Sequence, residues 1–462
     1  MSFTVYVAMF GFVPLTVGLF AVLPVRRAIL AALVLGWLFL PMAKLEVSGI
    51  PDYDKIVATN LGIVLGCLFF HWRELANWRP SLWDAPMLLW LISPSLSSIT
   101  NDLGLYDAAS MGVRQTLVWF LPYVIGRTFF RDGEAFKELA TAVVLGGLIY
   151  IPFCLFEVRM SPQLHKWVYG IEVNQFMRNI RFGGFRPVVF MDSGLMVGMW
   201  MANATIIAFW IRLSGERVLG RFSYWSVFAA LLGCTILCKA LYAILLMIAA
   251  IALLTAIRYT KSILPLALLA ACVPGYILAR SSGMLESETL TEPAAEMFGA
   301  DRAQSLGARL YQEETMLSHA MRRPLFGWGG WRRGWPMDPE TGKPKVRGVD
   351  GMWLIVVSEC GLYGLVALFA TLLLPVIATF PHFRVAAAND PAAGAISVMS
   401  VCLLLFTLDC LLNGMFNPLY AMAAGGLTST RNASQTPRTV DLKAWEPLVW
   451  TVPRNLRRIN GN

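Results

Sequence analysis

Residues 240–258 read ALYAILLMIAAIALLTAIR, nineteen positions with no charge before the closing Arg258. A hydrocarbon core of ~30 Å takes about 20 helical residues to cross, so one such run is enough to span it. Similar runs recur at roughly 3–24, 28–44, 56–72, 83–98, 109–130, 138–157, 188–211, 223–238, 263–280, 351–379, 394–410 and 411–428. The 462 residues are 57% hydrophobic and 15% charged, with a mean hydropathy of +0.59, which excludes an ordinary soluble domain. Backbone polar groups in lipid must be satisfied within the segment, which favours helices. The expected fold is therefore all-α: a polytopic membrane protein of about 12–13 transmembrane helices. The last pair is the ambiguous one, because LDCLLNGMFNPLY (408–420) breaks the apolar pattern.

Charge in the short loops sets the orientation. One alternate set carries Arg26 and Arg27, Arg73 with Arg79, Arg131, Arg212 with Arg217 and Arg221, Arg258 with Lys261, and Arg384; the other reads EVSGIPDYD and NDLGLYD. Basic loops stay cytoplasmic, so the acid-bearing set faces outward, and the long loops 158–187 and 281–350 share its parity. The chain divides into membrane helices over 1–280, the external loop 281–350, carboxy-terminal helices over 351–428, and a basic tail at 429–462 expected in the cytoplasm. The first apolar segment begins at Phe3 with no basic residue before it, and reads as a retained helix rather than a cleaved signal. The net charge of +9 lies at segment ends rather than in a basic domain, which argues against nucleic acid. All eight cysteines lie in or beside apolar segments, and Cys234 and Cys238 have no second ligand pair in sequence. Four scattered histidines add little, so no metal and no cofactor are expected.

The external loops hold the chemistry. Residues 281–301 carry five acids and no base, whereas 302–349 carry nine Lys or Arg and four acids. Leu306, Leu310, Leu317 and Met321 share a helical face, with Arg309 and Glu313 as an i,i+4 pair beside it. The expected element is a short amphipathic helix on the membrane surface, ended by Pro324. HAMRRPLFGWGGWRRGW (319–335) follows, with two Arg pairs and three Trp. Snorkelling at the interface is the plainer account of that cluster; phosphate contact by Arg322 and Arg323 is the sharper one. In RNIRFGGFRPVVFMDSG (178–194), Arg178, Arg181 and Arg186 surround a Gly-Gly turn, and Pro187 is expected to open the next helix. Asp192 would lie inside that helix and need a partner, plausibly one of these arginines. Lys239 sits at a tight junction between two apolar runs.

Together these residues resemble the O-antigen ligase and O-antigen polymerase superfamily, over about 181–365. RFGGFRPVVFMDSG is similar to the family's Gly-Phe-x-x-Pro element, and CKALYAILL to its Ser-Arg-x-Ala helix start. The order Arg309, RPLFGWGG, then VDGMWLIVVSECGLYGL looks like its Arg, Pro-x-x-Gly-x-Gly and His followed by Glu-x-Gly-x-x-Gly. Here Lys239 stands where the family usually has Arg, and Asp350 where it has His. Lys keeps the charge without the bidentate fork; Asp can still accept a hydroxyl proton. The resemblance implies metal-independent, inverting glycosyl transfer from an undecaprenyl-pyrophosphate-linked glycan to a glycan or lipid acceptor, at the outer face of the cytoplasmic membrane. It casts Arg309 and Lys239 as cations for the departing pyrophosphate and Asp350 as base. Arg181 and Arg186 would help bind phosphate or sugar, and Glu359 is a buried structural acid. RPLFGWGG is the tight, glycine-permitted turn that closes the helix. The Arg–Trp cluster around it is the scaffold that seats the site, with phosphate contact by Arg322 and Arg323 a secondary role. A transporter or flippase for a lipid-linked polysaccharide, or a non-catalytic assembly subunit, are the alternatives.

Overall fold

The computed structural model describes residues 2–46, 51–172, 176–181, 183–213, 224–285, 291–292, 296, 300–330, 332–346, 348–386 and 390–433. The side chains of Arg178, Arg212, Leu306 and Arg384, the residues Arg217 and Arg221, much of the acidic stretch 286–299, and the tail from 434 lie outside the described residues.

Helices dominate. In chain order they are α1 (Phe3–Val22), α2 (Val25–Phe39), α3 (Lys55–Ala76), α4 (Ala85–Thr100), α5 (Gly104–Gln115), α6 (Leu121–Phe129), α7 (Gly133–Met160), α8 (Leu164–Tyr169) and α9 (Gly194–Leu213). They continue as α10 (Tyr224–Leu237), α11 (Leu241–Thr260), α12 (Leu264–Ser281), α13 (Ala300–Ala320), α14 (Met352–Ala378), α15 (Phe380–Ala386), α16 (Pro391–Leu412) and α17 (Pro418–Ala433). Two small antiparallel hairpins, β1 (Lys44–Leu45) with β2 (Tyr53–Asp54) and β3 (Ile180–Arg181) with β4 (Gly184–Phe185), decorate one end. Among the described residues eight helices are long and apolar enough to cross a membrane; this is a multi-pass membrane protein. Of the five other expected spans, 109–130 is divided between α5 and α6 by a π-helical turn at Thr116–Phe120, and four form shorter helices: α2, α4, α10 and α17 have 15, 16, 14 and 16 residues. At 1.5 Å per residue these reach roughly 21–24 Å, short of a full core. Those short lengths and the divided α5–α6 span separate the eight from the twelve or thirteen expected.

α16 is the axis of the bundle. It is apolar on every side and buried almost from end to end, as a core helix must be, with α7, α9 and α14 around it. The interruption 413–417 is an extended link, and Asn417 accepts the Leu419 N–H at 2.9 Å to start α17. α17 then runs back against α6 at backbone contact: a Cβ on Gly126 would lie 1.9 Å from the Met422 carbonyl oxygen, and one on Gly425 2.0 Å from that of Tyr123. Small residues let membrane helices approach this closely.

The two ends of the bundle separate the two loop sets. At the end that carries the basic loop set, Arg26 faces Asp132 at 3.5 Å, and Asp84, fully buried, holds Arg127 at 2.7 Å. The Tyr123 hydroxyl donates to the same Asp84 carboxylate at 2.8 Å, and Arg127 reaches Ser429 of α17 at 2.8 Å. Removing one partner of a buried pair costs about 3–5 kcal/mol. Asp84→Ala is therefore expected to lower the thermal midpoint in detergent by many degrees, whereas Lys166→Ala, which breaks an exposed pair with Glu172, leaves it unchanged.

At the other end, two expectations are corrected. Pro187 does not open a helix, and Asp192 is not inside one: residues 186–193 are irregular and α9 begins at Gly194. The reason is Glu157 of α7, fully buried, whose carboxylate accepts the N–H groups of Leu164, Val188 and Val189 at 2.9, 2.8 and 2.7 Å. Val189 adopts φ +53° there, which a helix forbids. Asp192 lies exposed in this segment, in the field of the buried Lys55.

Candidate functional site

RPLFGWGG (323–330) docks on a break in α14. Gly361 has φ +65° and ψ −166° inside the helix, a region open in practice only to glycine. The break frees backbone groups, and the turn takes them: Leu362 N–H donates to Pro324 O at 2.7 Å and Tyr363 N–H to Leu325 O at 3.1 Å. In return Trp328 and Gly329 N–H donate to Ser358 O and Glu359 O at 2.9 and 3.1 Å. Non-helical backbone at membrane depth survives only when protein satisfies it in this way. Three of the arginines around the turn, Arg323, Arg332 and Arg333, are spent on anchoring. Arg323 stacks on Trp328 with 4.6 Å to the ring centre and donates to Asn101, just past the end of α4. Arg333 pairs with Asp107 of α5 at 3.1 Å, and Arg332 covers Trp335 at 4.9 Å. Arg322 is exposed.

α13 leads into that turn, and two readings of it change. At 21 residues it is not short, and its apolar face, with Leu310, Met316, Leu317 and Ala320 buried, packs on α14 rather than lying on lipid. Arg309 and Glu313 do not pair. Glu313 turns inward to Arg280 of α12 at 2.7 Å, with the Tyr276 hydroxyl donating at 3.1 Å, and Arg280 also donates to Leu310 O at 3.2 Å. Burial nonetheless raises the Glu313 carboxyl above its ordinary range, against the pull of Arg280. A buried bridge with two extra donors outweighs an exposed i,i+4 pair worth a few tenths of a kcal/mol.

Arg309 is thereby left facing outward, and it meets Asp350, with Nε 3.8 Å from the carboxylate. Both side chains are open to solvent, at 59% and 60% exposure. They flank a cleft of about 40 Å³, lined also by Gln312, Glu313, Met316 and Leu411. The 413–417 link supports Asp350 from behind. Met352 N–H donates to Asn413 O at 3.3 Å, and a Cβ on Gly414 would sit 3.1 Å from Asp350 O.

The second basic group forms around the β3–β4 hairpin. The Lys239 ammonium donates to Arg181 O at 3.0 Å, and Arg186 donates to Lys239 O at 3.3 Å. Lys239 turns the chain with φ +52°. Gly184 leaves room for its head, since a Cβ there would lie 2.4 Å from Nζ. Burial, helped by the nearby Arg181 charge, lowers the Arg186 pKa from its ordinary value. This group and the Arg309–Asp350 pair flank the same end of α16. Tyr242, one turn beyond Lys239, donates to Leu408 O at 3.4 Å, and Leu411 and Leu412 line the Arg309 cleft.

Arg309 with Asp350, and Lys239 with Arg181 and Arg186, are thus brought together as two groups. Arg322 and Arg323 do not line the cleft. Sequence reasoning missed Glu157, Arg280, Tyr276 and Lys55. Lys55, hidden in an apparently acidic loop, donates to Trp37 O at 2.9 Å and Phe190 O at 3.2 Å, tying α2 to the irregular segment before α9. A lone Glu157 at a helix end carried no local signal of its three backbone donors. Glu157→Ala would leave those N–H groups unpaired at about 1–3 kcal/mol each; limited proteolysis is expected to cut 158–193 far faster in this variant. Comparison with protein-family models and with curated proteins finds no match.

Proposed function

We propose that the protein is a glycosyltransferase of the O-antigen ligase or polysaccharide polymerase type, working at the outer face of the cytoplasmic membrane. It would move a glycan from an undecaprenyl-pyrophosphate carrier to a glycan or lipid acceptor. The observation that carries this reading is the solvent-open Arg309–Asp350 pair, a cation and a carboxylate 3.8 Å apart in one cleft at a bundle end. The acceptor hydroxyl gives its proton to Asp350 as its oxygen attacks the anomeric carbon. The bond from that carbon to the carrier pyrophosphate breaks on the opposite face, inverting the configuration. Arg309 and Lys239 receive the negative charge that develops on the pyrophosphate, and Arg181 and Arg186 seat the phosphate or sugar. Arg323 acts mainly as an anchor of the turn, and phosphate contact by it and by the exposed Arg322 is a lesser role.

Purified protein incubated with a lipid-pyrophosphate glycan and acceptor is expected to release the carrier equally with and without EDTA. No release, or release unchanged in Asp350→Ala, overturns the reading.

A second reading, transport of the lipid-linked glycan, is favoured by Asp409. This buried acid of α16 borders a cavity with Trp37, Trp200, Asn417 and Tyr420, and intramembrane acids mark translocation pathways. Accumulation of carrier-linked glycan on the cytoplasmic face when the protein is lost would decide for it.

A further inference from the structure

Three thiols meet beneath the Lys239 turn. Cys154 of α7 and Cys234 and Cys238 at the end of α10 bring their sulfur atoms within 4.8 Å of one another, and all three are buried. In sequence only the i,i+4 pair is visible and no metal is expected; the packing of α7 on α10 supplies the third donor. A second observation lies beside them. The Arg186 Nε–H is buried with no hydrogen-bond partner, while another nitrogen of the same guanidinium reaches the carbonyl of Lys239, the residue after Cys238. Arg186 is close enough for its charge to act on the Cys238 thiol. A buried guanidinium with a vacant donor, close enough to act on Cys238, gains a far stronger nearby acceptor and a counter-charge when thiol becomes thiolate.

We propose that Cys154, Cys234 and Cys238 form a site for a soft thiophilic ion, Cu(I), with Arg186 as its counter-charge. The proposal goes beyond the glycan-transfer reading and does not depend on it. With metal–sulfur bonds close to the about 2.3 Å of zinc thiolates, two thiolates on one ion lie at most ~4.6 Å apart, so sulfurs within 4.8 Å of one another need to move little. The charges decide the stoichiometry. Two S–H protons leave to solvent, two S–Cu bonds form, and the complex carries −1. The Arg186 guanidinium carries +1, so the site is neutral as a whole, as a buried ionic group must be. The remaining thiol stands within reach as a third, neutral donor. Soft sulfur donors in low coordination number select Cu(I). Zn(II) takes four ligands, and no fourth His, Cys, Asp or Glu joins the cluster among the described residues.

The test uses the full-length protein in detergent, reduced and kept anaerobic, with Cu(I) delivered from a chromophoric competing chelator. The expected result is one tightly held Cu(I) per chain in wild type and in Cys67→Ser, which lies outside the cluster. Affinity should fall more than tenfold in Cys154→Ser, Cys238→Ser and Arg186→Gln. Equal uptake by wild type and the variants overturns the proposal, as does uptake of Zn(II) with Cu(I) excluded. Should the serine variants fail to fold, the wild-type protein still decides. Bound Cu(I) must raise the thermal midpoint and shield these three cysteines, but not Cys272, from alkylation read by mass spectrometry. Unshielded thiols, or a disulfide at Cys154 in the isolated protein, sink the idea.

Discussion

Arg309→Ala and Asp350→Ala are each expected to lower glycan transfer at least a hundredfold while the protein inserts and folds normally. Loss of a general base or of a cation at developing charge typically costs about 10²–10⁴ in rate. Stability should not follow. The two side chains are 59% and 60% exposed, and an exposed ion pair contributes only about 0–1 kcal/mol. Thermal midpoints within a few degrees of wild type, beside lost transfer, separate chemistry from folding. Asp350→His sharpens the test. An imidazolium is a weaker acid than a carboxylic acid, so the variant should stay active with the acidic limb of its pH profile moved upward. A profile that does not move means that residue 350 is not the proton acceptor.

Gly361→Ala is expected to cost the protein its fold, though glycine to alanine in an ordinary helix is mildly stabilising. Its φ and ψ of +65° and −166° penalise any L side chain by roughly 1–3 kcal/mol. A Cβ would also lie 2.3 Å from the Leu325 carbonyl oxygen, so the turn must lift off. Lifting it forfeits the four backbone hydrogen bonds across the break and leaves their groups unpaired at about 1–3 kcal/mol each. The sum is comparable to a typical total stability of about 5–15 kcal/mol. Aggregation on extraction, or a much lower thermal midpoint, is the expected result. Gly275→Ala on α12, where nothing lies within 4 Å of the new methyl, should behave as wild type. A Gly361→Ala protein as stable as wild type would mean that the turn does not dock on α14.

The Trp- and Arg-rich stretch 319–335 shows how far sequence reading carried. That RPLFGWGG is scaffold was legible, because glycines between aromatics at the end of a helix signal a tight turn. Its docking place was not, because Gly361 reads in sequence as one more small residue in an apolar helix. Arg309 and Asp350 were named from the resemblance, and the structure places them in one cleft. The pairing of Arg309 with Glu313 was read from local spacing and fails. The partner that prevails, Arg280, comes from α12, whose approach no local pattern announces. Asp192 was placed in a helix by hydropathy alone, which cannot see a buried Glu157 collecting the backbone N–H groups that a helix needs.

The sequence by itself determined that the chain is helical and crosses a membrane repeatedly. Lipid tolerates no unpaired backbone, so an apolar run of sufficient length has one solution. It also sorted the loops into two sets, since charge is written residue by residue. Only the tertiary structure decided which charges meet, where α14 breaks, and that three cysteines from two helices share one point. Those outcomes depend on packing between segments far apart in the chain, where a buried ion pair or a satisfied backbone outweighs any local preference.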